Sequence, residues 1–431
     1  MTALAPTPAV VPAAGEHRRV EVVGKKAPIA LAIVTALFAL VLALGSREGD
    51  ASFRFATQTD FFAIPDLVVP GTTFAWICVG VMTLLTLAAV ALVAARRRVP
   101  VWLSFLFAFV FLVGFLAWAA AGSSADLPVF RLVGGSVLLA VPIVFGSLGG
   151  VIGERAGVVN IAIEGQLLAG AFTAAFVGSV TDSPWAGLVA AVVAGVLVAL
   201  VLGLFTITYR VNQVIVGVVL NVLVIGVTSF LYSKVLVPDG ATLNDTERFD
   251  PIAIPVLSKI PVIGPALFNQ TFVVYLMYVT VPAVWFALMR TRWGLRVRAV
   301  GEHPTAADTV GIKVERTRYR AIMIAGAIAG VGGAFYTVVS VSSFGKEMTA
   351  GAGFIALAAV IFGKWDPVRA ALAALLFGFA SNLQNALSLV GAPVPSQFML
   401  MLPYVVTILA VAGLVGRSRG PAAAGEPYVK E

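Results

Sequence analysis

Apolar residues run along this chain in blocks of about 20, enough to cross a roughly 30 Å hydrocarbon layer as helix. The blocks fall at residues 28–45, 74–95, 101–121, 131–152, 160–180, 185–208, 213–233, 271–289, 319–341, 351–363, 367–387 and 398–415. Such a pattern predicts an all-α, polytopic membrane helical bundle of about 12 transmembrane segments. The block at Gly351–Gly363 holds only 13 residues, roughly 20 Å of helix, short for a full crossing; it fits either a short crossing or a half-helix or re-entrant segment, which would change the side of everything after it.

Polar stretches divide the chain. Residues 1–27 form an N-terminal tail with Arg18, Arg19, Lys25 and Lys26 ahead of the first block, which reads as an uncleaved first helix. Residues 28–125 hold additional N-terminal spans, 130–415 the main core, and 416–431 a C-terminal tail. With all twelve blocks crossing, both termini fall on the cytoplasmic side. Only Arg47, Arg54, Arg131, Lys234, Arg248, Lys259 and Lys346 of the 29 Lys and Arg residues then lie outside, as the positive-inside bias requires.

Composition agrees with this picture. Hydrophobic residues make up 60% of the 431 and charged residues only 12%, against about 25% charged in soluble domains. The net charge of +8 sits at span ends rather than in one stripe, so it argues for topology and not for nucleic acid. One cysteine, Cys78, excludes an intrachain disulfide, and two distant histidines make a His-based metal site improbable. The small-residue pairs Gly149/Gly153 and Gly326/Gly330 suggest tight helix packing.

Three clusters could carry chemistry at membrane depth. Glu164 lies inside an apolar run, where a carboxylate costs about 2.5–3.5 kcal/mol unless it is paired or faces a cavity. A helix starting near Asn160 would put Asn160 and Glu164 on one face and turn Gln166 away. A second set is Ser381, Asn382, Gln384 and Asn385; a third is Asn212, Gln213 and Asn221. Each set fits either internal hydrogen bonding or a substrate pathway, for which Asn160, Glu164, Gln166, Ser381 and Gln384 are the candidates. No phosphate-cradling G-x-x-x-x-G-K-[ST] occurs, nor H-E-x-x-H, CxxC or G-x-S-x-G. ATP hydrolysis, if it drives transport, then belongs to another chain, and no catalytic residue, metal or cofactor is expected here.

The most charged segment between spans is Arg290–Arg320, with eight of the 29 basic residues. Its centre is built to fold. Pro304 suits the first turn of a helix, Thr305-Ala306-Ala307-Asp308 tolerates one, and Gly311 is placed to end it.

Residues 155–165, RAGVVNIAIEG, followed by QLLAGAF, resemble the signature of ABC-importer permeases for nucleosides, within the wider family that carries simple sugars and branched-chain amino acids. The run GLRVRAVGEHP at 294–304, with Ala306-Ala307 and Gly311-Ile312, is similar to that family's R-A-V-G-E-N-P-x-A-A-x-x-x-G-I, His303 replacing Asn. GFIALAAVIFG at 353–363 resembles its G-F-x-A-I-A-V-A-x-L-G. The resemblance implies the many-helix type of ABC importer permease in the cell membrane. It also implies a second permease subunit, ABC ATPase subunits and an extracytoplasmic substrate-binding lipoprotein as partners. By the same resemblance, 290–320 would be a cytoplasmic coupling loop meeting the ATPase through Glu302, His303, Pro304, Ala306, Ala307, Asp308 and Gly311. The competing expectation is a proton-coupled secondary transporter that uses Glu164.

Overall fold

The computed structural model describes residues 26–57, 60–62, 64–391, 397, 398, 401 and 419–430. Most of the 1–27 tail and most of the block at 398–415 lie outside the described residues. Ten helices among them are long and apolar enough to span a membrane. The chain is a multi-pass membrane protein.

Two compact units divide it. The smaller holds α1 (Lys26–Leu44), α2 (Gly71–Ala94) and α3 (Val101–Ala120). Phe38 of α1 meets Phe111 of α3 edge-on, ring centres 5.2 Å apart. At Gly114 a Cβ would lie 2.7 Å from the Cys78 Cβ, so α2 and α3 touch closely there. The Trp118 indole donates to the Gly45 carbonyl at 2.7 Å and Arg47 Nη1 to the Ala119 carbonyl at 2.6 Å, closing one end. Leu, Val and Phe side chains such as Leu84, Leu87 and Phe105 point outward, as a lipid-facing surface demands.

The larger unit begins with strand residues 52–54 of β1 (Asp50–Arg54). After β2 (Leu67–Pro70) comes β3 (Leu127–Pro128), which pairs parallel with β1 through Phe53–Leu127 and Arg54–Pro128. Its helices are α4 (Val129–Arg155), α5 (Ile163–Val180), α6 (Pro184–Gly203), α7 (Gln213–Leu231), the single turn α8 (Gly240–Leu243) and α9 (Phe272–Arg290). A small antiparallel pair, β4 (Ile252–Ala253) with β5 (Asn269–Gln270), lies between α8 and α9. There follow α10 (Arg292–Glu302), α11 (Pro304–Thr309), α12 (Val314–Phe335), α13 (Ala352–Phe362) and α14 (Pro367–Leu389).

α4 runs through the core, buried almost all round by α12, α13 and α14. α12 packs on α4, α5 and α6 through glycines. At Gly330 a Cβ would enter the Ala191 carbonyl of α6, and at Gly326 it would press on Gly195. Small residues let these backbones meet, which is how membrane helices gain dispersion contact without a hydrophobic driving force.

One expectation is corrected here. Helix α5 starts at Ile163, not near Asn160, because the chain leaves α4 through Gly157 at φ +84 and stays irregular to Ala162. Asn160 and Glu164 therefore do not share a helix face. Among the loop's arginines, Arg318 is buried, 1% exposed, inside the unit.

The short block also finds its place. Carbonyls of Val338 and Ser342, at the end of the span begun by α12, bond the amides of Phe249 and Thr246 at 2.9 Å on the α8 side. At the far end of α13, the Trp365 carbonyl accepts from Arg155 Nε at 3.0 Å, at the end of α4. α13 spans only about 16 Å, half a hydrocarbon core. With the irregular residues 342–351 before it, it runs from the α8 side to the end of α4.

Candidate functional site

Breaking a helix inside a membrane strands backbone donors and acceptors, each costing several kcal/mol in hydrocarbon unless protein re-satisfies it. Two breaks face each other here, one before α5 and one before α13, and side chains from other helices satisfy both.

α7 serves the first break. Gln213 Oε1 accepts from the Val159 amide at 2.6 Å, and its Nε2 donates to the Gly157 carbonyl at 3.4 Å. Two turns on, Asn221 Nδ2 donates to the Ile161 carbonyl at 2.9 Å while its Oδ1 accepts from the Gly165 amide at 2.8 Å. Asn212 caps α7 itself, accepting from Val214 and Ile215. Its amides are thus a bracket for residues 157–165. The sequence places these three residues together but gives no sign of what they hold, since the partner lies some 55 residues away.

Glu164 serves the second. Its Oε1 accepts from Thr349 Oγ1 at 2.6 Å and the Gly351 amide at 2.9 Å; its Oε2 accepts from the Gly353 amide at 2.6 Å. α13 has no side-chain cap of its own, Gly351 standing at its N-cap with φ +83. A carboxylate from α5 caps it instead. Glu164 also lies in the first turn of α5, so one negative charge meets the positive ends of two helices at once. Gly353 must be glycine, because a Cβ there would collide with the Glu164 backbone.

Beside this junction Asn160 and Gln166, both 0% exposed, are joined by Asn160 Nδ2 donating to Gln166 Oε1 at 3.0 Å. Gln166 is therefore Asn160's partner rather than turned away from it, a consequence of the later helix start. Asn160 Oδ1 and Gln166 Nε2 have no hydrogen-bond partner among the described residues. The bonded pair thus keeps one open acceptor and one open donor.

The second polar set does not join this centre. Asn382 is buried and donates to the carbonyls of Arg131 and Leu132 at 3.2 and 2.7 Å, stapling α14 to α4. Asn385 borders a pocket of about 210 Å³ with Pro128, Arg131 and Leu132, and Ser381 and Gln384 are half-buried.

The charged loop forms a separate platform. The Thr291 hydroxyl caps α10 by accepting from Gly294 at 3.1 Å, and α10 buries Gly294, Val297, Val300 and Gly301 along one face. His303 is the N-cap of α11, Pro304 its first residue, and Gly311 at φ +86 follows its end. In α11 only Ala307 is buried, 3% exposed, packed with Val300 and Val314. Glu302, His303, Ala306 and Gly311 face outward, with Pro304 and Asp308 half-buried. At the α4 end, Trp365 Nε1 donates to Glu154.

The family described as "Branched-chain amino acid transport system / permease component" matches residues 132–411. The chain is similar to the guanosine ABC transporter permease protein NupQ of Bacillus subtilis (strain 168), 41% identical over 308 residues, 69% of this chain and 96% of that one. It is 38% identical over 314 residues to the nucleoside ABC transporter permease protein NupC of Lactococcus lactis subsp. cremoris, covering 69% and 96%. A guanosine ABC transporter permease protein NupP, also of Bacillus subtilis, is 27% identical over 258 residues, covering 57% and 71%. No solved structure matches the chain.

Proposed function

Because the chain belongs to this permease family of ATP-binding cassette transporters, we propose that it imports nucleosides as one of two different permease subunits, driven by a separate ATPase. The reading of two different permeases draws on the similarity to both NupQ and NupP, two permease proteins of one organism. The loop at 290–320 would face the cytoplasm, and a lipoprotein outside would deliver the substrate.

One observation carries the coupling. α11 rests on the body through Ala307 and turns most of its other side chains outward, a short helix presented for contact rather than packed away. Glu302, His303, Pro304, Ala306, Asp308 and Gly311 would meet the ATPase; Ala307, expected among them, is instead buried and seats the helix on the body. Substrate would pass the junction of α5 and α13, where Asn160 and Gln166 keep an acceptor and a donor that suit a base edge or a ribose hydroxyl. Glu164 would hold that junction in shape, with Ser381 and Gln384 lining the path nearer one face. The proton-coupled alternative is set aside, because three donors already engage the Glu164 carboxylate and the relatives are ABC permeases.

The test is uptake of tritiated guanosine by proteoliposomes holding the permease pair, ATPase and loaded binding protein. Uptake should need ATP and stop with a hydrolysis-deficient ATPase. Ala307→Asp, which forces a charge into the contact with Val300 and Val314, should leave the chain in the membrane and uncouple hydrolysis from uptake. Uptake driven by a proton gradient without ATP would refute this reading. Ribose taken up in preference to guanosine would reassign the substrate to simple sugars.

A further inference from the structure

The C-terminal residues 419–430 lie against the loop rather than leaving the body. Backbone amides tie them down: Ala423 donates to the Gly301 carbonyl at 2.9 Å and Gly425 to the Gly157 carbonyl at 3.3 Å. The Ala422 amide donates to Glu302 Oε2 at 3.3 Å. Arg318, buried in α12, donates through Nη1 to the Glu426 carbonyl at 3.0 Å, while its Nε and Nη2 have no hydrogen-bond partner among the described residues. A buried guanidinium without that carbonyl would be costly. Tyr428, 8% exposed, completes the apolar cluster of Val300, Ala307 and Val314, and Lys430 lies 3.9 Å from Asp308.

The tail thus touches α10, α11, α12 and, at Gly157, the break that leads to the Glu164 junction. It backs Ala307, the one residue by which α11 is seated. A groove of about 280 Å³ remains between them, lined by Glu302, Pro304 and Thr305 of the loop and Glu426, Pro427 and Val429 of the tail. Val429 is exposed and apolar there.

We propose that residues 419–430 are part of the surface that receives the ATPase, fixing α11 on the body and tying its position to Gly157. The ATPase would seat on α11 and the tail together. This rests on the coupling role of α11 argued above. A loop freed from its strap would sample many orientations, and a partner binds only the fraction that is correctly posed.

The reconstituted transporter tests it, with guanosine imported per ATP hydrolysed as the readout and chain level in the membrane as the control. Chains ending at residue 418, and full-length chains with Tyr428→Ala, should import about tenfold less guanosine per ATP, in proportion to the docking-competent fraction. Tyr428→Phe, which keeps the ring in the cluster, should retain more of the ratio than Tyr428→Ala. If the truncated chain fails to reach the membrane, Tyr428→Ala alone decides. A wild-type ratio in Tyr428→Ala overturns the proposal. So does equal loss in Tyr428→Ala and Tyr428→Phe. Ala307→Asp separates the two readings: uncoupling there with normal Tyr428→Ala defeats only the tail's role, whereas a silent Ala307→Asp defeats the coupling loop itself.

Discussion

Glu164→Ala should destabilise the folded chain and not merely slow transport. The substitution removes the acceptor of three hydrogen bonds, two of them from the backbone amides of Gly351 and Gly353. An orphaned buried donor costs about 1–3 kcal/mol, so the two amides together give roughly 2–6 kcal/mol, before any relaxation of the α13 end or entry of water. Glu164→Gln should cost less. Its carbonyl can still serve one side of the junction, but its NH2 then points at a donor where the carboxylate offered an acceptor. Thr349→Val removes only a side-chain partner and should cost about 1 kcal/mol. Thermal unfolding of the chain purified in detergent, followed in parallel with guanosine uptake, ranks the three. The expected order of loss is Ala, then Gln, then the Thr349 variant. An Ala variant as stable as wild type would refute the capping role and return Glu164 to the substrate path alone.

Two further substitutions probe the same architecture. Asn221→Leu keeps the volume on α7 but abandons the Ile161 carbonyl and the Gly165 amide; a loss of about 2–6 kcal/mol, read by thermal unfolding, is expected from two orphaned groups. Unchanged stability would mean the break is held otherwise. Gly330→Leu should cost more than about 3 kcal/mol, since the added side chain meets the backbone of Ala191, which cannot rotate aside. A drop in membrane-inserted chain should show it, while Leu372→Ala, on an outward face of α14, should leave the yield unchanged.

Much of this was open to reading in the sequence because membrane helices obey one strong constraint. Apolar length alone locates α2, α3, α9 and α14 within a few residues, and the Pro304-to-Gly311 pattern marks α11 correctly. The failures share a cause. Asn160 looked helical because V-V-N-I-A-I is as apolar as a span, yet Gly157 turns the chain and α7, supplied by residues about 55 positions on, holds the irregular stretch. α10 was hidden by its charge: eleven residues with three arginines resemble a solvated loop until the buried stripe Gly294, Val297, Val300 and Gly301 is seen. Arg318 and Glu426 could not be joined from sequence at all, being 108 residues apart on elements with no shared periodicity.

These placements separate the candidate pathway residues by what their polar groups still have to offer. Glu164 has its oxygens engaged by three donors, and Asn382 and Asn221 spend their amides on neighbouring carbonyls. Such residues hold shape, and their removal should register as stability before it registers as specificity. Asn160 and Gln166 are different. They bond each other once and keep one acceptor and one donor open in a fully buried place, an arrangement that costs stability wherever nothing fills it. A pair kept in that condition, next to the point where the starts of α5 and α13 meet, is better suited to a guest with its own donor and acceptor than to packing. The junction would then need to open for the guest to reach it. The strap, through Gly157, lies on the chain segment that would have to move.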